Sequence, residues 1–196
     1  DIEDAIEERI GEEWERPTGS DVGRISRDSR AGDRYVDFLE GTLDTQLDGL
    51  RVVVDCANGA AFDVSPRALE RAGAQVTAIH AQPNGWNIND GCGSTYMESL
   101  VAAVRDGGAD VGIAHDGDAD RCLAVAADGS IIDGDHILAM LAMSKADSHT
   151  LAHGTVVSTV MANLGFKIAM QDAGITVAET AVGDRYVLEE MNAGGF

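Results

Sequence analysis

The stretch Asp110-Val-Gly-Ile-Ala-His-Asp-Gly-Asp-Ala-Asp-Arg121 decides the fold that the sequence predicts. Its first part, Asp110–Ala114, is almost wholly apolar and favours a buried β-strand. Its second part is an acidic loop with small residues between the acids, a composition that ends a strand. A strand that runs into such a loop is typical of α/β domains, in which ligands bind beyond the carboxyl ends of parallel strands.

Strands and helices alternate on both sides of this stretch. The pattern before it predicts strands at Leu50–Val54 and Val76–Ile79, and helices at Gly32–Thr42, Pro66–Ala72 and Tyr96–Asp106. The pattern after it predicts a hairpin of Cys122–Ala126 with Ile131–Ile132, then a helix at Asp135–Lys145. A second alternation follows, with strands at Thr155–Val160 and Thr176–Thr180 and helices at Asn163–Ala173 and Asp184–Ala193. This spacing predicts an α/β fold with a mostly parallel sheet.

Two polar segments divide the chain into three parts. Residues 1–16 form a predicted acidic helix, with Ile2, Ile6 and Ile10 on one face, and a Pro- and Gly-containing break follows it. We expect residues 1–32 to be the tail of a preceding domain and a linker. Residues 33–146 are predicted to form one α/β domain, and residues 150–196 an incomplete second one, because two strands and two helices make a thin domain.

Composition restricts the classes of partner. The 196 residues are 44% hydrophobic, and a chain of this length buries roughly 70% of the surface of its unfolded form. Its formal net charge of −20 disfavours nucleic acids and anionic membranes as partners. The three cysteines form no C-x-x-C motif, and the N-terminus shows no signal peptide. These features predict a cytoplasmic protein with reduced thiols.

The acidic loop is the strongest candidate site. Its three carboxylates Asp116, Asp118 and Asp120 alternate with Gly117 and Ala119, which let the loop curl. Two unit charges 5 Å apart repel by roughly 3 kcal/mol at an effective dielectric of 20, and a divalent cation relieves that repulsion. Ligands that are all oxygen favour Mg²⁺, Mn²⁺ or Ca²⁺ over zinc. The spacing excludes an EF-hand, which needs Gly where Arg121 stands and Glu where Ala127 stands.

Each candidate residue also has a purely structural interpretation. The acidic loop would otherwise be a solvated turn, and Arg121 either contacts a phosphate oxygen or forms a salt bridge to an aspartate of the loop. The long loop Pro83–Thr95 either binds an anion through backbone amides near Gly91 and Gly93 or only caps a helix. In Val182–Arg185, Asp184 is either a helix cap or part of a site. His115 adjoins the acidic loop, and a structural histidine is the favoured interpretation.

Several separate motifs resemble the α-D-phosphohexomutases, and within them the bacterial branch that acts on glucosamine phosphates. They span nearly the whole chain and comprise Val54–Ala60, Asn87–Thr95, Ala114–Val125, Asn163–Phe166 and Thr180–Tyr186. The resemblance implies a four-domain enzyme that interconverts glucosamine 6-phosphate and glucosamine 1-phosphate through a bisphosphate intermediate and Mg²⁺. A phosphoserine of the first domain carries the phosphoryl group in that family.

The resemblance also implies roles for individual residues. Asp116, Asp118 and Asp120 would be the Mg²⁺ ligands of a second domain, and Arg121 a catalytic contact to phosphate. Gly183, Asp184 and Arg185 would belong to the substrate-binding loop of a third, sugar-binding domain. The phosphoserine loop and the sugar-recognition loop of the family are not among these 196 residues, so we predict no turnover by this chain alone. An oligomer of the full-length protein stays open.

Three alternative functions stay open. A phosphomannomutase or phosphoglucomutase of the same family differs only in the preferred sugar. A phosphatase of the haloacid dehalogenase type would use Asp116 as nucleophile and Asp118 as general acid, but needs a downstream lysine in a context that neither Lys145 nor Lys167 provides. The third alternative is a non-catalytic module that binds Mg²⁺ or Ca²⁺.

Overall fold

The N-terminal part of the chain contains one helix. The computed structural model describes residues 2–196. Helix α1 spans Ile2–Ile10, so the predicted helix over residues 1–16 ends six residues early, and its first residue lies outside the described part. Gly11 and the run of glutamates after it end the helix, because glycine and clustered like charge both destabilise helices. Ile2, Ile6 and Ile10 are all exposed.

The remainder, Gly32–Phe196, forms a compact unit of its own that contains two sheets. The first sheet has five strands in the order β2-β1-β3-β4-β5. Their bounds are β1 Arg51–Asp55, β2 Gln75–Ile79, β3 Val111–His115, β4 Cys122–Ala126 and β5 Ile131–Ile132. Strand β1 pairs in parallel with β2 and β3, whereas β3–β4 and β4–β5 are antiparallel. The α/β prediction is confirmed, and the sheet is mixed, since a hairpin extends its parallel half.

Helices cover both faces of this sheet. They are α2 Ala31–Glu40, α3 Val64–Arg71 and α4 Glu98–Gly107. Leu100 and Val104 of α4 are fully buried in a core with Val53 and Val125. Gly112 of β3 permits this close packing, because a Cβ there would lie 2.6 Å from Val104 Cγ2. Gly112 therefore lies on the α4 side of β3, and its neighbours Val111 and Ile113 face the other side, since successive side chains of a strand point to opposite faces.

The second sheet is a parallel pair, β6 Thr155–Thr159 and β7 Thr176–Thr180. Its helices are α5 Gly134–Asp147, α6 Leu164–Asp172 and α7 Asp184–Gly194. Asp133 caps α5 by accepting the His136 N–H at 3.0 Å, and Asn163 caps α6 by accepting the Phe166 N–H at 2.8 Å. These are the side-chain caps that polar residues provide at helix starts.

Helix α5 packs on the second core. Ala142 is buried there with Val156, Phe166 and Met170, and Leu138 packs against the same cluster. The predicted division between residues 146 and 150 assigns α5 to the first domain, whereas its buried side chains lie with the second sheet. Periodicity along α5 identified an apolar face, but it contained no information on which of two neighbouring sheets that face contacts.

None of the helices in residues 2–196 combines the length and the apolar composition needed to cross a membrane.

Limited trypsin digestion is expected to cut first after Arg24, Arg27 or Arg30. Residues 11–30 contain no regular structure beyond the short 3₁₀ turn Gly19–Asp21, and all of them are exposed. Proteases cut such segments because their backbone can enter the active site without loss of packing. Mass spectrometry of the earliest fragments measures the order of cuts. A first cut after Arg121 or Lys145 would contradict this expectation.

Candidate metal-binding site

The acidic loop connects two antiparallel strands. The register of β3 and β4 pairs His115 with Cys122, so residues 116–121 form the connection between them. The Asp116 N–H donates to the Arg121 carbonyl at 3.3 Å, and the Ala119 N–H donates to the Asp116 carbonyl at 3.1 Å. Ala119 has a left-handed backbone with φ of 61°. This tight turn was not predicted from the sequence, which placed the loop at a strand end without closing it as a hairpin.

The turn brings the three predicted carboxylates together. One oxygen each of Asp116, Asp118 and Asp120 lies within 4.8 Å of the others. Asp116 is 1% exposed, whereas Asp118 and Asp120 are exposed to solvent. Three carboxylate oxygens that converge at a solvent-facing turn suit a hard divalent cation, which binds oxygen ligands and retains some of its waters. The donor set of this structure therefore fits Mg²⁺.

Arg121 pairs with the same carboxylates. Its guanidinium Nε donates to Asp116 Oδ2 at 2.8 Å and to Asp120 Oδ1 at 3.3 Å. Its backbone N–H donates to Asp116 Oδ1 at 3.1 Å. The Arg121 side chain is 72% exposed, so it closes the turn from the solvent side. The salt bridge that the sequence left as one alternative for Arg121 is therefore present in this structure.

The pairing separates the acidities of two loop carboxylates. Burial raises the pKa of Asp116, but hydrogen bonds from the Arg121 backbone and from the Asp120 and Arg121 side chains leave that pKa below its ordinary value. The hydrogen bond to Asp116 raises the pKa of Asp120 above its ordinary value. A cation that binds both Asp116 and Asp120 would therefore compete with a proton on Asp120. Acid would weaken its binding for this reason.

Two buried glycines bring the loop after β1 against the acidic loop. The Ala60 N–H donates to the Gly117 carbonyl at 2.9 Å. A Cβ on Gly59 would lie 2.8 Å from Gly117 Cα, and a Cβ on Gly117 would lie 2.7 Å from Ile88 Cδ1. The obstacle is backbone at Gly59 and the Ile88 side chain at Gly117, so a larger residue at either position would displace its neighbour. Gly59 was not among the residues that the sequence pointed to, although its place just beyond a strand end is the available signal.

His115 has a structural partner. Its Nε2 lies 2.8 Å from Ser65 Oγ of α3, and burial lowers the pKa of the imidazole. His115 also lines a cavity of about 600 Å³ together with Ile113 and side chains of α2 and α3, and Asp118 borders it. The hydrogen bond to Ser65 supports the structural interpretation of His115 and connects the end of β3 to α3.

The predicted substrate residues lie on the second sheet. Gly183 precedes α7 with φ of 140°, and Asp184 is the first residue of that helix. Arg185 Nε donates to Glu189 Oε1 at 2.9 Å, one turn further along α7. All three residues follow the carboxyl end of β7, which is the edge where parallel sheets bind ligands.

The long loop Pro83–Thr95 is held by an aspartate that sequence analysis missed. Anion binding by the amides near Gly91 and Gly93 was one of two alternatives from the sequence, and here the Gly93 N–H donates to Asp55 Oδ2 at 3.0 Å. The fully buried Asp55 also accepts the Ala57 N–H at 2.9 Å, and it lies 3.0 Å from His80 Nδ1. A charged residue at the end of an apolar strand is the signal that identifies Asp55, because buried carboxylates require partners.

Two domain models of one family match the chain. The model described as phosphoglucomutase/phosphomannomutase, alpha/beta/alpha domain II, matches residues 33–129. The model of alpha/beta/alpha domain III of the same family matches residues 133–196. The two matches separate just before α5, in agreement with the packing of that helix on the second sheet.

Curated relatives cover the whole chain. A phosphoglucosamine mutase of Acidothermus cellulolyticus is 60% identical over 196 residues, which are 100% of this chain and 42% of the relative. A phosphoglucosamine mutase of Thermobifida fusca is 57% identical over 196 residues, 100% of this chain and 44% of that relative. The chain therefore spans less than half the length of these relatives.

Solved structures share the fold. A phosphoglucomutase/phosphomannomutase family protein from Burkholderia thailandensis is 22% identical and superposes with a TM-score of 0.73, covering 84% of this chain and 36% of that one. A phosphomannomutase described as putative, from Thermus thermophilus, is 20% identical and has a TM-score of 0.66. The match covers 83% of this chain and 39% of that one. With both of its domain matches, its close relatives and its fold in agreement, the chain belongs to the phosphoglucomutase/phosphomannomutase family, the α-D-phosphohexomutases.

Proposed function

We propose that this chain provides the Mg²⁺-binding loop of an enzyme that interconverts glucosamine 6-phosphate and glucosamine 1-phosphate through a bisphosphate intermediate. The observation that supports this proposal best is the convergence of Asp116, Asp118 and Asp120 within 4.8 Å at the end of β3. The names of relatives that are 57–60% identical support the choice of sugar. The phosphoryl-carrying serine would lie outside these residues, as the family resemblance implies.

The carboxylates and Arg121 would have complementary roles. Asp116, Asp118 and Asp120 would hold the cation, and bound Mg²⁺ would supply positive charge to the oxygens of the transferring phosphoryl group. Arg121 now donates to Asp116 and Asp120, the same groups that the cation would take. Once these carboxylates have another cationic partner, the exposed guanidinium is available to donate to a phosphate oxygen, for which its planar fork is suited.

Gly183, Asp184 and Arg185 would contribute to substrate binding from the second sheet. Arg185 pairs with Glu189 across one helical turn, and its side chain is 52% exposed. Exposed pairs of this type contribute little stability, so exchange of Glu189 for an anionic substrate group costs little. We propose this exchange as the role of Arg185.

The geometry disfavours the phosphatase alternative. That mechanism requires Asp116 to attack a phosphorus atom, but Asp116 is 1% exposed and both of its oxygens accept hydrogen bonds from Arg121. A nucleophile needs an unobstructed line to its target. Asp116 is better placed to bind a cation than to attack.

Magnesium is expected to stabilise this chain specifically and weakly. With three protein ligands and the remaining positions filled by water, we expect a dissociation constant in the millimolar range, about 4 kcal/mol. At about 20 mM MgCl₂ this corresponds to roughly 1–3 kcal/mol of added stability. Thermal melts measure this stabilisation. The reference sample contains NaCl at the same ionic strength, because an acidic protein is also stabilised by salt alone.

A matched pair of variants tests the location of the magnesium effect. Asp118→Asn should remove the Mg²⁺-specific shift, whereas Asp172→Asn, an exposed aspartate at the end of α6, makes the same change in net charge and should retain it. An equal shift in melting temperature with NaCl, or an unchanged Mg²⁺ shift in Asp118→Asn, would show that the loop is an acidic turn that does not bind Mg²⁺.

A chimeric enzyme tests the function itself. In it, these 196 residues replace the matching segment of the phosphoglucosamine mutase of Acidothermus cellulolyticus, which is 60% identical over that segment. We expect the chimera to convert glucosamine 6-phosphate in a Mg²⁺-dependent manner, and the 196-residue chain alone to serve as the inactive baseline. A folded chimera without this activity would contradict the proposed function.

A further inference from the structure

A second group of potential ligands lies outside the acidic loop. Asp55 ends β1, His80 follows β2, and Cys92 lies in the long loop Pro83–Thr95 that leads to α4. One ligand atom from each lies within 4.8 Å of the others. We propose that Asp55, His80 and Cys92 form a binding site for one Zn²⁺ ion or a similar borderline transition-metal ion, separate from the Mg²⁺ loop.

The donor types distinguish this site from the acidic loop. Thiolate and imidazole select zinc and related ions, whereas the all-carboxylate loop suits Mg²⁺. Zinc lies about 2.3 Å from sulfur and about 2.0–2.2 Å from nitrogen or oxygen, so tetrahedral ligand atoms are roughly 3.3–3.7 Å apart. His80 Nδ1 and Asp55 Oδ2 are already 3.0 Å apart, and the whole set closes with shifts on the order of 1 Å.

In the absence of a cation, the surroundings of Cys92 favour the protonated thiol. Its sulfur is fully buried, and Asn58 Nδ2 donates to it at 3.8 Å. Burial and the charges of Asp55 and Asp90 raise the pKa of the thiol, so the sulfur keeps its proton until a cation compensates the charge. An entering ion therefore displaces the thiol proton to solvent, and the Asn58 amide remains as a hydrogen-bond donor to the bound sulfur.

Asp55 is held in the manner of a metal ligand. Its Oδ1 accepts the Ala57 N–H at 2.9 Å and its Oδ2 accepts the Gly93 N–H at 3.0 Å. Hydrogen bonds of this kind orient ligating carboxylates in metalloproteins. The His80 side chain is 31% exposed, so an ion reaches the site from that side and a water molecule there completes four ligands.

Cobalt provides a spectroscopic test on the 196-residue chain. Co²⁺ should produce a thiolate-to-cobalt charge-transfer band, about one equivalent of Zn²⁺ should abolish it, and a large excess of Mg²⁺ should leave it. Cys92→Ser should eliminate the band, and His80→Gln should weaken Co²⁺ binding about tenfold or more. Cys92 is buried, so its replacement can prevent folding. His80 is partly exposed, and His80→Gln therefore tests the site even if Cys92→Ser does not fold.

Controls separate this site from the other thiols and from the Mg²⁺ loop. Cys56→Ser and Cys122→Ser should retain the band, and Cys122 matters most because it directly follows Arg121. Asp118→Asn should also retain it, so failure of the Mg²⁺ proposal would leave this result unaffected. Absence of the band in the unmodified chain, its persistence in Cys92→Ser, or its loss in Cys122→Ser would overturn the proposal.

Discussion

Replacing Asp118 with asparagine in the chimeric enzyme is expected to lower kcat/KM about 100-fold or more. Loss of one preorganised electrostatic partner of a reacting group costs about 10²–10³-fold, and 100-fold corresponds to about 2.7 kcal/mol of transition-state stabilisation. Asp118 is the appropriate ligand to change because it is exposed. Asp116 is buried and pairs with the exposed Arg121, so its replacement would also remove this ion pair, and a change in stability would be difficult to separate from a change in activity.

The control for this experiment is Asp172→Asn in the same chimera, which should keep kcat/KM within about twofold because surface substitutions away from the site have little effect. Raising the Mg²⁺ concentration should partly restore the activity of Asp118→Asn, since two carboxylates remain to bind the cation. A loss smaller than about threefold at low Mg²⁺ concentration would show that Asp118 is not a ligand, because it corresponds to only about 0.7 kcal/mol.

Gly59→Ala is expected to destabilise the chain by about 2–3 kcal/mol and to remove the Mg²⁺-specific stabilisation. The added Cβ would lie 2.8 Å from Gly117 Cα and from its carbonyl carbon, and backbone cannot rotate away as a side chain can. Forced overpacking of this type costs about 1–3 kcal/mol. Displacing Gly117 also breaks the Ala60–Gly117 hydrogen bond and moves the two carboxylates that flank it.

Thermal melts measure both parts of this prediction. For a chain of this size about 1 kcal/mol lowers Tm by roughly 2–4 °C, so we expect a decrease of roughly 5–10 °C. Gly134→Ala is the matched control, because a Cβ at that position at the start of α5 meets nothing within 4 Å. A Gly59→Ala variant with unchanged Tm and an unchanged response to Mg²⁺ would show that the contact between the two loops does not position the carboxylates.

Local patterns predicted the elements of the fold well. The strand Thr176–Thr180 and the hairpin strands Cys122–Ala126 and Ile131–Ile132 were predicted with the bounds that the structure shows. These elements combine β-branched or apolar runs with clear turn residues, so short-range information is sufficient. The N-terminal helix was predicted too long. Its isoleucine periodicity ends at Ile10, as the helix does, and the prediction extended the helix past Gly11, where backbone freedom ends it.

The candidate site was only partly accessible to the same reasoning. The three aspartates were recognisable because alternation with small residues lets neighbouring carboxylates converge within one turn. The interaction of Arg121 with Asp116 was left as one of two alternatives, since an arginine beside carboxylates pairs with them or with an incoming anion according to what else is bound. The division into domains at residues 33–146 and 150–196 stays a prediction. Producing each range separately and measuring its resistance to proteolysis would test it.

The sequence by itself determined the α/β elements, the acidic loop and the motifs of the family, because each depends on residues that are neighbours along the chain. Only the tertiary structure decided which loops touch. It brought Gly59 against Gly117, joined α5 to the second core, and placed Asp55 beside His80 and Cys92. Asp55 and His80 are 25 positions apart along the chain, and Gly59 and Gly117 are 58 positions apart. Strand order and helix packing determine such distances, and no local pattern of side chains encodes them.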